Sequence, residues 1–369
     1  MKKFLLFASV SFLMIFSLQA QQRTDTASVK MVVSNEKTED IDSTETLVVE
    51  KNQEGQLAYN KGIALMAEKK YPEAIEHFKI SLQHDSVFIK AYVNMAAAYT
   101  YANDSDNAIL TYNQALAIDP TLGQVYYGRG AVYYSQNEYQ KALEDFIKAE
   151  ANKYRSKELY YYSGVSYFFI KDYKSAVTSY TKAISLDPSY AFAYNDRGSS
   201  RRMMNDLAGA ISDYRMAISI MPQFSAAYDN LGTSLAKSKK YDEAIQNFDL
   251  AIKWKSDFVI AYNNRGEAKY IKGDVKGAFE DFQSALKLKA DYAFAYNNIG
   301  ILYASQKQYA DAVKMYDKAI QLEPELGIAY FNRGAACEML RKFEQACADW
   351  LTARDKGVSV PDSFISGCN

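Results

Sequence analysis

From Gly55 onward apolar side chains recur at the three-and-four spacing of an amphipathic helix, break at a polar turn such as Lys239-Lys240 or Gly273-Asp274, and resume in a second helix often closed by Asp-Pro, as at Asp119-Pro120 and Asp187-Pro188. The pattern returns every 34 residues without a gap. Glycines stand at Gly62, Gly130, Gly164 and on through Gly334, with Ala96 in the missing place, and twelve residues beyond each of these positions comes an alanine, from Ala74 to Ala346. This spacing predicts nine helix-turn-helix blocks over residues 55–360. A single hairpin leaves one apolar face wet, so neighbouring blocks have to supply the rest of the core.

Numbering the places of each block from Gly55, glycine at the eighth and alanine at the twentieth remove the side chains that would hold two helices apart. The eighth place is expected to face the twentieth, and the fourth to face the twenty-fourth. Aromatics fill around them: Tyr92, Tyr126 and their equivalents to Tyr330 at the fourth place, and Phe78, Tyr112 and the series ending at Trp350 at the twenty-fourth. Packing thus absorbs most of the 31 tyrosines.

Blocks such as 293–326, with Tyr296, Gly300, Tyr303, Ala312, Tyr316, Ala319 and Pro324, resemble the tetratricopeptide repeat (TPR) family over 55–360. The resemblance implies an all-α, right-handed superhelical solenoid whose first helices line a concave groove. Ala58 departs from the pattern by replacing the aromatic, and Ser86, Tyr154, Ser256 and Ala290 by replacing the closing proline.

The seventh place alternates. Arg129, Arg197, Arg265 and Arg333 occur in the odd blocks from the third to the ninth, and the same blocks carry Asp145, Asp213, Asp281 and Asp349 at the twenty-third place. Strict co-occurrence predicts an ion pair inside each block, suited to a bidentate bond, rather than an arginine row for an anion. It also marks a two-block unit of 68 residues.

By the family geometry, places five, six, nine and twelve face the groove. Blocks three and four put Tyr127, Tyr134, Tyr161, Tyr162 and Phe168 there; blocks five to nine put Asn195, Asp196, Asp229, Asn230, Asn263, Asn264, Glu267, Asn297, Asn298 and Asn332. An Asn tip offers a donor and an acceptor that match the peptide C=O and N–H. The resemblance implies that Asn230, Asn264, Asn298 and Asn332 hold the main chain of an extended peptide, from side chains solvated in the free protein. Stacking of the groove tyrosines on sugar rings, as in a glycan or cell-wall-binding module, is the competing reading. The family's clamp for a terminal carboxylate needs Lys and Arg at set groove places, which hold Tyr, Val, Asn, Asp and Phe here.

Cys368 falls where a tenth block would place its glycine, so residues 361–369 read as a cap whose short helix lies against the second helix of block nine. That location favours a Cys347–Cys368 disulfide, with Cys337–Cys368 as the rival pairing. His77 and His84 are the only histidines, about 10 Å apart along one helix. With no metal-ligand cluster, nucleophile elbow or phosphate loop, the reading is of a non-enzymatic chain without cofactor or metal.

Composition adds an address. Lys2 and Lys3, the apolar run Phe4 to Leu18 and small Ala20 form a signal-peptide pattern over 1–20, with cleavage expected after Ala20. Residues 21–54 are acidic and lack aromatics, which predicts a flexible tether. The 369-residue chain has a net charge of -1, so nothing points to nucleic acid. The expected protein is periplasmic or secreted, without a membrane span after cleavage, and scaffolds a protein or peptide partner.

Overall fold

The computed structural model describes residues 46–368. The expected signal peptide, and the tether as far as Glu45, lie outside the described residues. Thr46 to Glu54 differ from the expected tether: they are helical, the opening turns of a first helix that runs on through block one.

The described residues hold nineteen helices and no strand. In chain order the blocks pair α1 (Thr46–Ala67) with α2 (Tyr71–His84), α3 (Ile89–Tyr101) with α4 (Ser105–Ile118), α5 (Gly123–Ser135) with α6 (Tyr139–Ala151), and α7 (Lys157–Phe169) with α8 (Tyr173–Leu186). Then follow α9 (Ala191–Met203) with α10 (Leu207–Ile220), α11 (Ser225–Lys237) with α12 (Tyr241–Trp254), and α13 (Val259–Ile271) with α14 (Val275–Leu288). The last pairs are α15 (Ala293–Ser305) with α16 (Tyr309–Leu322) and α17 (Gly327–Met339) with α18 (Phe343–Asp355), before the short α19 (Asp362–Ile365). They fall into two compact units that divide between Ser200 and Arg201. Within each unit, helices adjacent in sequence pack on one another, so that second helices touch both their own partner and the first helix of the next block.

Each first helix stops on a residue in the left-handed region at the fifteenth place. Lys69, Asn103, Asn137, Lys171, Asn205, Lys239, Lys307 and Arg341 have φ between 59° and 66°, and Gly273 has 89°. The next amide then reaches back to the helix, as Lys70 N does to Leu65 O at 2.9 Å, and closes its last free carbonyls. Asp104, Asp172, Asp206 and Asp274 start the second helix by accepting an N–H of its first turn.

The aromatic at the twenty-fourth place is buried in every block. Its ring lies over the eighth-place glycine rather than opposite the fourth place: a Cβ on Gly266 would stand 2.7 Å from Phe282 Cε1, and one on Gly300 would stand 2.5 Å from Tyr316 Cε1. Helical side chains lean toward the helix N-terminus, which carries the ring from the twenty-fourth place back over the turn at the twentieth. Glycine therefore makes room for a ring as well as for a helix backbone. At the fourth place most tyrosines are only half-buried.

Beyond α18 the chain turns back through Val358 and Val360, and Phe364 packs on Trp350 and Phe331 at centroid distances of 4.9 and 5.8 Å. Cys347 and Cys368 form a disulfide, with Cα atoms 5.3 Å apart. Cys337 is a buried free thiol, pushed up by burial.

Candidate functional site

Arg129, Arg265 and Arg333 of the seventh place make the expected bidentate bond and one more. Arg265 Nε and Nη2 donate to Asp281 Oδ2 and Oδ1 at 2.9 and 2.5 Å, Arg129 grips Asp145 at 2.7 Å twice, and Arg333 grips Asp349 at 2.9 and 2.6 Å. The remaining Nη1 reaches back to the twenty-fifth place of the preceding block: Asn113 at 2.5 Å, Asp249 at 2.6 Å and Asp317 at 2.6 Å. Each guanidinium also covers the fourth-place ring of its own helix, as Arg265 covers Tyr262 at 5.4 Å. One side chain thus ties an odd block to the even block before it. In block five, Arg197 Nη1 donates to Thr181 at 3.1 Å, and Asp213 accepts from Arg201 Nη1 at 2.7 Å.

The polar groove places behave differently from expectation. Asn195, Asn230, Asn263, Asn264, Asn297, Asn298 and Asn332 are at most 4% exposed, so they are buried rather than solvated. Asn264 Nδ2 donates to Asp229 Oδ1, Asn298 Nδ2 to Asn263 Oδ1 and Asn332 Nδ2 to Asn297 Oδ1, each at 3.0 Å. Two further rungs share this register: Asn94 Nδ2 to Tyr59 OH at 2.8 Å, and Tyr161 OH to Asp196 Oδ2 at 2.7 Å. Every rung joins the fifth place of one block to the sixth place of the next. The asparagines are engaged by the neighbouring repeat, because first helices of adjacent blocks stand side by side and the two places meet at their seam. Asn263 Nδ2 and Asn264 Oδ1 remain buried without a partner.

Asp229, 3% exposed, is a buried carboxyl of this row. Burial raises its carboxyl to about 7, against the opposing pull of the Asn264 hydrogen bond and the Arg202 guanidinium. Burial also raises the Tyr292 hydroxyl, with the charges of Asp229 and Glu267 adding to the shift. Lys237 is lowered by burial and by Arg202.

The tyrosines expected to offer an open stacking platform are mostly turned inward. Tyr127, Tyr161 and Tyr162 are buried, and Tyr134 is half-buried. Their rings contact other rings: Tyr127 on Tyr154 at 4.9 Å, Tyr134 on Tyr162 at 4.8 Å and Tyr161 on Tyr190 at 5.0 Å. Tyr154, in the place of a closing proline, is delivered there by Lys153 at φ 65°.

Between blocks two and three the ladder has no polar rung, since the fifth place is Val93 and the sixth is Gly128. Glycine is required because Tyr112 fills the position: a Cβ on Gly128 would lie 2.7 Å from the ring tip. A pocket of about 40 Å³ opens at this gap, lined by Met66, Val93, Asn94, Ala97, Tyr101, Tyr112, Gln124, Tyr127, Gly128 and Tyr154. In the sequence its only signal is that Val93 and Gly128 depart from the polar row.

His84 Nε2 lies 3.7 Å from Glu54 Oε2. Among the described residues no group of three or more His, Cys, Asp or Glu side chains is placed to hold a metal ion. No described helix is long and apolar enough to cross a membrane.

Tetratricopeptide repeat models match residues 158–190, 225–258 and 293–326, and TPR repeat models match 98–137 and 266–307. The matches over 158–190, 225–258 and 293–326 begin at the first or second place of a block. The chain belongs to the tetratricopeptide repeat family. No curated protein matches it. The TPR fold is shared with the APC/C hetero-tetramer Cut9-Hcn1, at 14% identity over 85% of this chain and 75% of that one, with a TM-score of 0.55. YrrB, described as a TPR protein with an unusual peptide-binding site, is 24% identical over 50% of this chain and 95% of its own, with a TM-score of 0.48. Yeast Tom70 is 17% identical over 83% of this chain and 77% of its own, with a TM-score of 0.46.

Proposed function

We propose that this TPR protein is a non-enzymatic scaffold that binds an extended segment of a partner protein along its concave face, outside the cytoplasm. The observation that carries the reading is the gap in the ladder. At five junctions the fifth and sixth places hydrogen-bond one another, and Tyr127 and Tyr162 share an aromatic core cluster without such a bond, whereas at Val93 and Gly128 the row gives way to a tyrosine-walled pocket sized for a small aliphatic side chain. Export is supported by the signal pattern of residues 1–20 and by the Cys347–Cys368 disulfide, which persists in oxidising compartments.

Panning a displayed peptide library on the mature chain tests the groove. Enriched peptides should share an aliphatic anchor, and Val93→Glu should weaken them at least tenfold while the melting curve stays close to native. Peptides that bind the Val93→Glu chain with unchanged affinity would place the contact elsewhere. The glycan reading predicts instead retention on cell-wall polysaccharide that depends on Tyr134, the most accessible of the four groove tyrosines.

A further inference from the structure

The two ends of the repeat array expose what every internal junction covers. At the third and tenth places of the first helix, blocks two to nine bury their residues against the preceding block, as with Ala91, Ala98, Ala329 and Ala336, each 0% exposed. In block one the same places are Leu57, 68% exposed, and Ala64, also exposed. At the other end, the seventeenth-place aromatic stacks on the thirteenth-place ring of the next block in two blocks: Tyr71 on Tyr101 at 5.2 Å and Tyr139 on Phe169 at 4.5 Å. Phe343 holds that place in block nine, is 61% exposed, and has no ring stacked on it among the described residues.

The cap explains the asymmetry. Phe364 and Cys368 occupy the fourth and eighth places of a tenth first helix, and Cys347 occupies the twenty-first place of block nine, where the other blocks have an apolar residue. The cap therefore fills the first half of a repeat seat and leaves the Phe343 half open. The disulfide holds it there.

We propose that this C-terminal face is an assembly surface for a second copy of the chain, closed by the Cys347–Cys368 disulfide and opened by its reduction. Two electrons and two protons from a dithiol convert the bond to two thiols, and the dithiol leaves as a disulfide. The freed cap yields its seat to α1 of the second copy, which brings Leu57 and Ala64 onto the face that first helices cover inside the array. Such a contact joins unlike ends and continues from copy to copy.

Light scattering after size exclusion tests the proposal on the mature chain, oxidised and after dithiothreitol. The oxidised chain should have the monomer mass, whereas the reduced chain and the Cys347→Ser/Cys368→Ser chain should at least double in mass as concentration rises. Leu57→Asp should return both to monomer. Phe364→Ser, which loosens the cap with the disulfide intact, should assemble as well, and gives the answer independently should the cysteine variants lose helicity. Monomers under all these conditions, assembly of the oxidised native chain, or assembly indifferent to Leu57→Asp would overturn the proposal.

Discussion

Asp281 shows what one carboxylate holds together. It takes both arms of Arg265 and also Lys269 Nζ at 2.8 Å, while Arg265 reaches Asp249 in the preceding block. Asp281→Ala should cost about 3 kcal/mol or more in urea unfolding because it strands a half-buried guanidinium, and removing Arg265 as well should cost less than the sum of the two single changes. A cycle with no coupling would contradict the pairing. Asp229 gives a pH signature. Burial raises its carboxyl to about 7 in the folded chain, against an ordinary aspartate value of 3.8, so the folded state holds a proton that the unfolded chain has lost between those values. Its contribution should therefore lower stability as pH rises from about 4 to about 7, by up to about 4 kcal/mol, and level off above. Arg202, Glu267, Tyr292 and Lys237 are the titratable groups coupled to it directly or through one another. Thermal melts of Asp229→Asn should lose that component of the pH dependence. The Arg-Asp pairs were legible because both partners alternate together inside one block; the reach to Asn113, Asp249 and Asp317 crosses a block boundary and varies in residue type, so no single-block comparison reveals it.

At the scale of the helix pair, the eighth-place glycine is the tightest constraint. Gly266→Ala should destabilise by about 1 to 3 kcal/mol, since its Cβ meets a ring that is itself fully buried and has nowhere to move. A native melting temperature would place the ring elsewhere. Helix number, block boundaries and turn positions were readable from the 34-residue register, because each depends on spacing alone. The direction in which a polar side chain points does not. Asparagine in a row along a first helix is chemically the same whether it faces a peptide or the next repeat, and only the pairing of fifth and sixth places across blocks distinguishes the two. That pairing was present in the sequence as Tyr59 with Asn94, Asp229 with Asn264 and Asn263 with Asn298.

For the whole molecule, stability of a repeat array is approximately a sum of repeat terms and nearest-neighbour terms. The Asn rungs and the arginine ties are both neighbour terms, so they set how many repeats unfold together. The proposed partner site is the interruption at Val93 and Gly128, which contributes no such rung. Whether the asparagine row joins repeats is decided by equilibrium urea unfolding of the Asn264→Ala/Asn298→Ala/Asn332→Ala chain. Three buried hydrogen bonds at about 0.5 to 1.5 kcal/mol each predict a loss of about 1.5 to 4.5 kcal/mol and a lower midpoint. A midpoint equal to that of the native chain would show that the row carries no load between repeats and would return it to the groove as a ligand-binding surface.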